Sequence, residues 1–178
     1  VLRTMAVQSI RHYPSQHPVA WPGYRLAMSA PEEDNSAVKR QSRHAAKVAE
    51  KLIYHAIRSQ NIDMPDDESK RQKALQDADK SYGSKLFVSM AKRIGLVVPR
   101  RGSGARFTLN ERLLKLLVVT TVPIGGRLTY DRFKQIVEAR HGLVFDTDGF
   151  SRSSVWLDGI EQVFFGNNID SWLPEMLE

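Results

Sequence analysis

From Ser36 to Ser59, apolar side chains return every three or four positions: Val38, Ala45, Val48, Ala49, Leu52, Ile53, Ala56 and Ile57. That period places them on one stripe of an α-helix, and such a stripe must be buried against other elements. Asn35 or Ser36 can cap its start. The polar face carries Lys39, Arg43, Lys47 and Lys51 in one row, each four positions after the last. Like charges at that spacing cost roughly a few tenths of a kcal/mol per pair in an isolated helix. The row is tolerable when solvated and useful when it faces phosphates, and both readings stay open.

Around this helix the chain is punctuated by local signals. Met64-Pro-Asp-Asp-Glu starts a second, polar helix, with Pro65 suited to its first turn and the acids complementing its dipole. A third helix is expected over 83–94, with Leu86, Phe87, Met90 and Ile94 as its buried stripe. Its outward residues are Ser84, Lys85, Ser89, Lys92 and Arg93, and Gly95 can end it. Two short strands follow, Leu96-Val97-Val98 and Arg106-Phe107-Thr108-Leu109. The glycine-bearing loop between them closes a hairpin. Thr108-Leu-Asn-Glu111 matches a capping box for a fourth helix. Thr129 caps a fifth, which Gly142 stops. LVFD, 143–146, is a candidate strand, and Ser153 or Ser154 is expected to open a last helix. The tail IDSWLPEMLE is expected to dock by Trp172 and Leu173. The fold class is therefore mostly α with a small β-hairpin.

Three segments are expected. Residues 1–27 hold Pro14, Pro18 and Pro22 without a helical period, while Met28-Ser-Ala-Pro-Glu-Glu-Asp-Asn reads like a protein start. The first 27 residues are accordingly expected to be a disordered tail or an over-extended N-terminus. Residues 28–110 form a basic portion, and 111–178 a helical portion that packs on it.

The net charge of +6 is unevenly spread. Residues 1–110 carry 19 Lys and Arg against 10 Asp and Glu, whereas 111–178 carry 7 against 10. Between 85 and 115 there are eight basic residues and one acid, Glu111. Such concentration favours a polyanionic partner over a merely soluble surface. The hairpin loop contributes Arg100, Arg101 and Arg106 around Gly102, Ser103 and Gly104. Arginine presents a planar fork of donors to phosphates and guanine edges. Glycine lets backbone approach a duplex closely, and Ser103 can donate to a phosphate. Aromatic residues are not interleaved with these cations, which disfavours base stacking on single strands.

Catalytic readings are poor. The chain has no cysteine, so disulfides, thiolate catalysis and cysteine-ligated metals are excluded. Gly102-Ser-Gly104 lacks the third glycine and following helix of a dinucleotide fingerprint. The five histidines show no paired ligand spacing, and FDTDGF lacks the later ligands of a calcium loop. No cofactor and no metal are expected. No run approaches the roughly 20 apolar residues that span a bilayer, so no membrane partner is expected. A reducing, cytoplasmic setting fits the lack of cysteine.

The order helix, helix, helix, strand, basic loop, strand over 36–109 resembles a winged helix, a variant of the helix-turn-helix DNA-binding family. The resemblance is one of topology and covers under half the chain. It implies a third helix in the major groove, with Lys85, Ser89, Lys92 and Arg93 as contacts, and a wing over 100–106 on the backbone. The long polar second helix, nearly abutting the third, departs from the family pattern.

Two function classes follow. The first is a non-catalytic double-stranded DNA-binding protein, gripping through the residues named above together with Lys39, Arg43, Lys47 and Lys51. The second is an adaptor subunit: most of the large apolar C-terminal residues Trp156, Phe164, Phe165, Trp172 and Leu173 are expected in the core, and Phe165 and Trp172, where exposed, would meet a protein partner or a second copy. RNA binding ranks third.

Overall fold

The long amphipathic helix is the axis around which the other elements gather. In the computed structural model, which describes residues 24–59, 64–154 and 168–177, it is α1, Ser36–Ser59. Asn35 caps it: Oδ1 accepts from the amides of Ala37 at 2.9 Å and Val38 at 3.2 Å. Val38, Ala45, Val48, Ala49, Leu52 and Ile53 are buried, as their period requires.

β1, Leu26–Ala27, precedes α1. After it come α2, Glu68–Tyr82; α3, Ser84–Ile94; β2, Val97–Val98; and β3, Arg106–Phe107. The chain continues through α4, Glu111–Thr121; α5, Tyr130–His141; β4, Leu143–Val144; α6, Thr147–Ser154; and α7, Trp172–Glu175. The protein is mostly helical with a small antiparallel hairpin, β2–β3, in which Val97 faces Phe107 and Val98 faces Arg106. A second, parallel pair joins β1 to β4, Leu26 to Leu143 and Ala27 to Val144. A parallel bridge between Ser29 and Thr108 links the two pairs.

At that junction the Phe107 carbonyl accepts three donors: the Ser29 amide at 3.1 Å, Ser29 Oγ at 2.9 Å and Ser42 Oγ at 2.7 Å. Thr108 Oγ1 returns a bond to the Ser29 carbonyl at 3.0 Å. Buried hydroxyls that would be costly alone are thereby satisfied. One hydrophobic cluster runs through both sequence portions, from Leu26, Leu52 and Phe107 to Leu114, Phe133, Phe145, Phe150 and Leu173. The 111–178 portion therefore shares its core with the basic portion.

Four expectations need correction. The folded part does not begin at Met28, because Tyr24 to Ala27 are buried and β1 is paired; residues 1–23 lie outside the described residues. In α3, Leu86, Met90 and Ile94 are 46%, 58% and 55% exposed, not buried. Ala91 is the buried residue, and Phe87 is half-buried with its ring 6.3 Å from that of Phe107. α3 is rolled onto its Phe87–Ala91 flank because β3 offers Phe107 there.

Thr108 does not cap α4. Its hydroxyl is spent on Ser29, and Asn110 Oδ1 accepts from the Leu113 amide at 2.9 Å instead. Ser153 does not open the last helix but lies within α6, buried, its Oγ donating to the Phe150 carbonyl and accepting from Gln41 Nε2 at 3.1 Å. Val155 to Phe164, assigned to that helix, lie outside the described residues, as does Phe165.

Other local signals match the structure. Gly95 and Gly142 close α3 and α5 with φ of 79° and 68°. Thr129 caps α5, and β4 falls within LVFD. The tail docks by Leu173, which is fully buried, with the half-buried Trp172 ring 6.4 Å from Phe145. Trp172 thus belongs to the core of one chain.

Candidate nucleic-acid interface

The β2–β3 loop leaves the body of the protein through a cis Val98–Pro99 bond. Gly102 and Gly104 have φ of 91° and 80°, a region that disfavours side chains. Two such residues let the loop fold back tightly around Ser103. Arg100, Arg101 and Ser103 are exposed at its tip.

Arg106 is built differently. It begins β3 and turns inward: NH1 donates to the Ser29 hydroxyl and to the Ala30 carbonyl at 2.8 Å, and NH2 donates to the Pro31 carbonyl at 2.8 Å. Burial pulls its pKa down, the nearby Glu33 carboxylate opposes that, and Arg43 adds to it. Arg106 remains cationic, but its guanidinium is occupied in holding the strand that leads into α1.

α1 turns its cationic face toward the loop. A cleft of about 300 Å³ between them is lined by Arg40, Arg43, His44, Lys47 and Gly104. A Cβ placed on Gly104 would lie 3.9 Å from Arg43 Cδ, so helix and loop stand in near contact. Within this row Arg43 Nε donates to the Lys39 carbonyl at 3.2 Å, and Lys51 continues the row, exposed, toward the C-terminus. His44 is half-buried among these charges; burial first, then Lys47 and Lys51, hold its pKa below the ordinary value.

A second cleft, of about 340 Å³, lies between α1 and α3. Lys85, Val88, Ser89 and Lys92 line it from α3, and Glu50 from α1. Lys92 also reaches the loop, Nζ donating to the Gly102 carbonyl at 3.4 Å. Arg93 is exposed on the outer surface of α3. The three basic segments picked out in the sequence thus meet: α1 touches the loop at Gly104, and α3 touches it at Gly102. Arg40 and His44 belong to the same cleft and were missed. The four-residue row drew attention to Arg43 and Lys47, but the cleft opens on the side of the helix where Arg40 and His44 project.

Charge pairing separates this surface from the C-terminal portion. There, Lys134 meets Asp170 at 2.9 Å, Asp146 at 3.0 Å and Asp131 at 3.5 Å, while Glu138 binds both Arg25 and Arg152 at 2.6 Å. Among the described residues, no ion pair engages Lys39, Arg40, Arg43, Lys47, Lys51, Lys85, Lys92, Arg93, Arg100 or Arg101. Concentrated cations not neutralised by carboxylates raise the local positive potential and favour an anionic ligand.

Among the described residues, no group of three or more His, Asp or Glu side chains is placed to hold a metal ion, and no helix is long and apolar enough to cross a membrane. No family model, no curated protein and no solved structure matches the chain.

Proposed function

We propose that this protein binds double-stranded DNA through the surface formed by α1, α3 and the β2–β3 loop, as a winged-helix-like module that acts by binding rather than by catalysis. The observation that carries the reading is the meeting of three cationic segments around Gly102–Gly104, whose cations at this surface other than Arg106 form no ion pair among the described residues. Arg100 and Arg101 hold the backbone from the loop. Arg40, Arg43 and Lys47 hold it from α1, with Lys39 and Lys51 extending the row. Lys85, Ser89, Lys92 and Arg93 approach the groove from α3. Arg106 supports the loop from beneath. The module departs from the winged-helix pattern in setting α1, as well as α3, beside the wing.

Fluorescence anisotropy on a mixed-sequence duplex across a salt series tests this. Neutralising six or seven phosphates gives a log–log slope of about −6. Replacing Arg43, Lys47, Arg100 and Arg101 by alanine makes the slope shallower by about 3 to 4 units. No binding at low salt overturns the reading, and preference for an RNA duplex transfers it to RNA.

One observation favours a protein partner as the second reading. Leu86, Met90 and Ile94 form an exposed apolar row on α3. An adaptor role predicts that polar substitutions in this row abolish partner capture and leave DNA affinity unchanged.

A further inference from the structure

The cleft between α1 and Gly104 contains one group whose charge changes near neutral pH. Arg40, Arg43 and Lys47 surround it and stay cationic, whereas His44 titrates. Resting on the DNA-binding reading above, we propose that this cleft seats one backbone phosphate of the duplex and that His44 binds that phosphate in its protonated form, so that DNA binding takes up a proton.

The chemistry of the lining supports this. Three cations and an imidazole converge where Gly104 presents no side chain, leaving room for a tetrahedral anion to reach the helix. In the free protein the surroundings oppose a proton on His44. From α1, Lys47 and Lys51 act on it and Arg40 and Arg43 line the same cleft; Arg106 of β3, beside Arg43, is opposed by Glu33. Glu50 lines the other cleft, beside Lys85 and Lys92. Half-burial and positive neighbours therefore favour the neutral imidazole over the imidazolium. A phosphate entering the cleft brings the opposite charge within reach and supplies an acceptor for the ring N–H, and both effects favour the imidazolium.

The sign follows by linkage. A group whose pKa is higher in the complex than in the free protein strengthens binding as pH falls through the interval between the two values. Arginine, lysine and the phosphodiester do not change charge between pH 8 and 6, which leaves the histidines and the amino terminus, and the His44 variant separates His44 from these. A higher His44 pKa in the complex raises affinity as pH falls from 8 to 6, by up to about tenfold.

The test is duplex affinity by fluorescence anisotropy at pH 8, 7 and 6 and constant ionic strength, for wild type and His44→Gln. Wild type is expected to bind about three- to tenfold tighter at pH 6 than at pH 8, and His44→Gln to lose that dependence. A companion measurement follows the His44 ring by NMR in the wild-type protein, without and with duplex, where its pKa rises on binding. This second readout stands even if the variant folds poorly. Binding that is independent of pH, a pH dependence that survives in His44→Gln, or an unmoved His44 titration each overturns the proposal and leaves the DNA reading intact. Absence of duplex binding at every pH in low salt overturns both.

Discussion

The Arg106 guanidinium donates to the carbonyl oxygen of Ala30 at 2.8 Å and so ties the strand leaving the β2–β3 loop to the segment that enters α1. The same side chain bonds Ser29 and Pro31. Arg106→Ala leaves the Ala30 and Pro31 carbonyls and the buried Ser29 hydroxyl without this donor, which costs about 2 kcal/mol. Arg100→Ala and Arg101→Ala, at exposed positions, stay within about 0.5 kcal/mol of wild type. Urea unfolding at neutral pH measures the contrast, and equal stability of all three variants would remove Arg106 from its structural role.

Glu138 sits between the buried Arg25 and the exposed Arg152. Burial pushes its pKa up, but the bonds from Arg152 and Arg25 outweigh that and leave it below the usual carboxylate value. A depressed carboxylate contributes stability above its unfolded pKa of about 4.3 and loses it as pH falls through the folded value. Glu138→Gln therefore lowers stability at pH 7 by about 2 kcal/mol, less than a fully buried pair would cost. The variant also shows a flatter decline below about pH 5. Denaturation midpoints from pH 7 down to pH 3 for both proteins read this out.

Gly95 and Gly102 both have positive φ but differ in their surroundings. A Cβ on Gly95 would lie 2.1 Å from Asn110 Nδ2, the atom that donates to the Ile94 carbonyl at 2.9 Å. Nothing lies within 4 Å of a Cβ on Gly102. Gly102→Ala costs about 1 kcal/mol, from backbone strain. Gly95→Ala adds the loss of the Asn110 cap and reaches about 2 to 3 kcal/mol. Thermal melts of the two variants, side by side, separate strain from collision.

The orientation of α3 is tested by Leu86→Gln, Met90→Gln and Ile94→Gln. Each is expected to change stability by under about 1 kcal/mol, because these side chains are about half exposed. Phe107→Ala, at a fully buried ring, costs about 3 to 5 kcal/mol. A loss of that size in the glutamine variants would return the apolar row to the core.

Helix ends were legible in the sequence because their chemistry is local. Thr129, Gly95 and Gly142 each act within four residues of where they stand. The convergence of basic segments was legible only as separate patches. Their meeting depends on Gly104 reaching α1 and Gly102 reaching Lys92, contacts that no periodicity encodes. The buried side of α3 was misread because its apolar residues cover two adjoining arcs, Leu86–Met90–Ile94 and Phe87–Ala91, and the choice rests on tertiary neighbours such as Phe107. The role of Arg106 was hidden because its partners are backbone carbonyls, and Ala30 lies 76 positions earlier.

The parallel pairing of β1 with β4 bears on how the chain reaches this state. Arg25 and Glu138, beside that pairing, are 113 positions apart. Closing so long a loop carries an entropic cost that local helix formation does not repay, and such non-local contacts form late. During synthesis, α1 emerges well before β4 and must wait for it with its apolar stripe only partly covered. A fragment ending at residue 110 would carry the whole cationic surface but none of the strand that closes the core. The proposed anion-binding surface therefore rests on a core that the chain cannot close until β4 has been made.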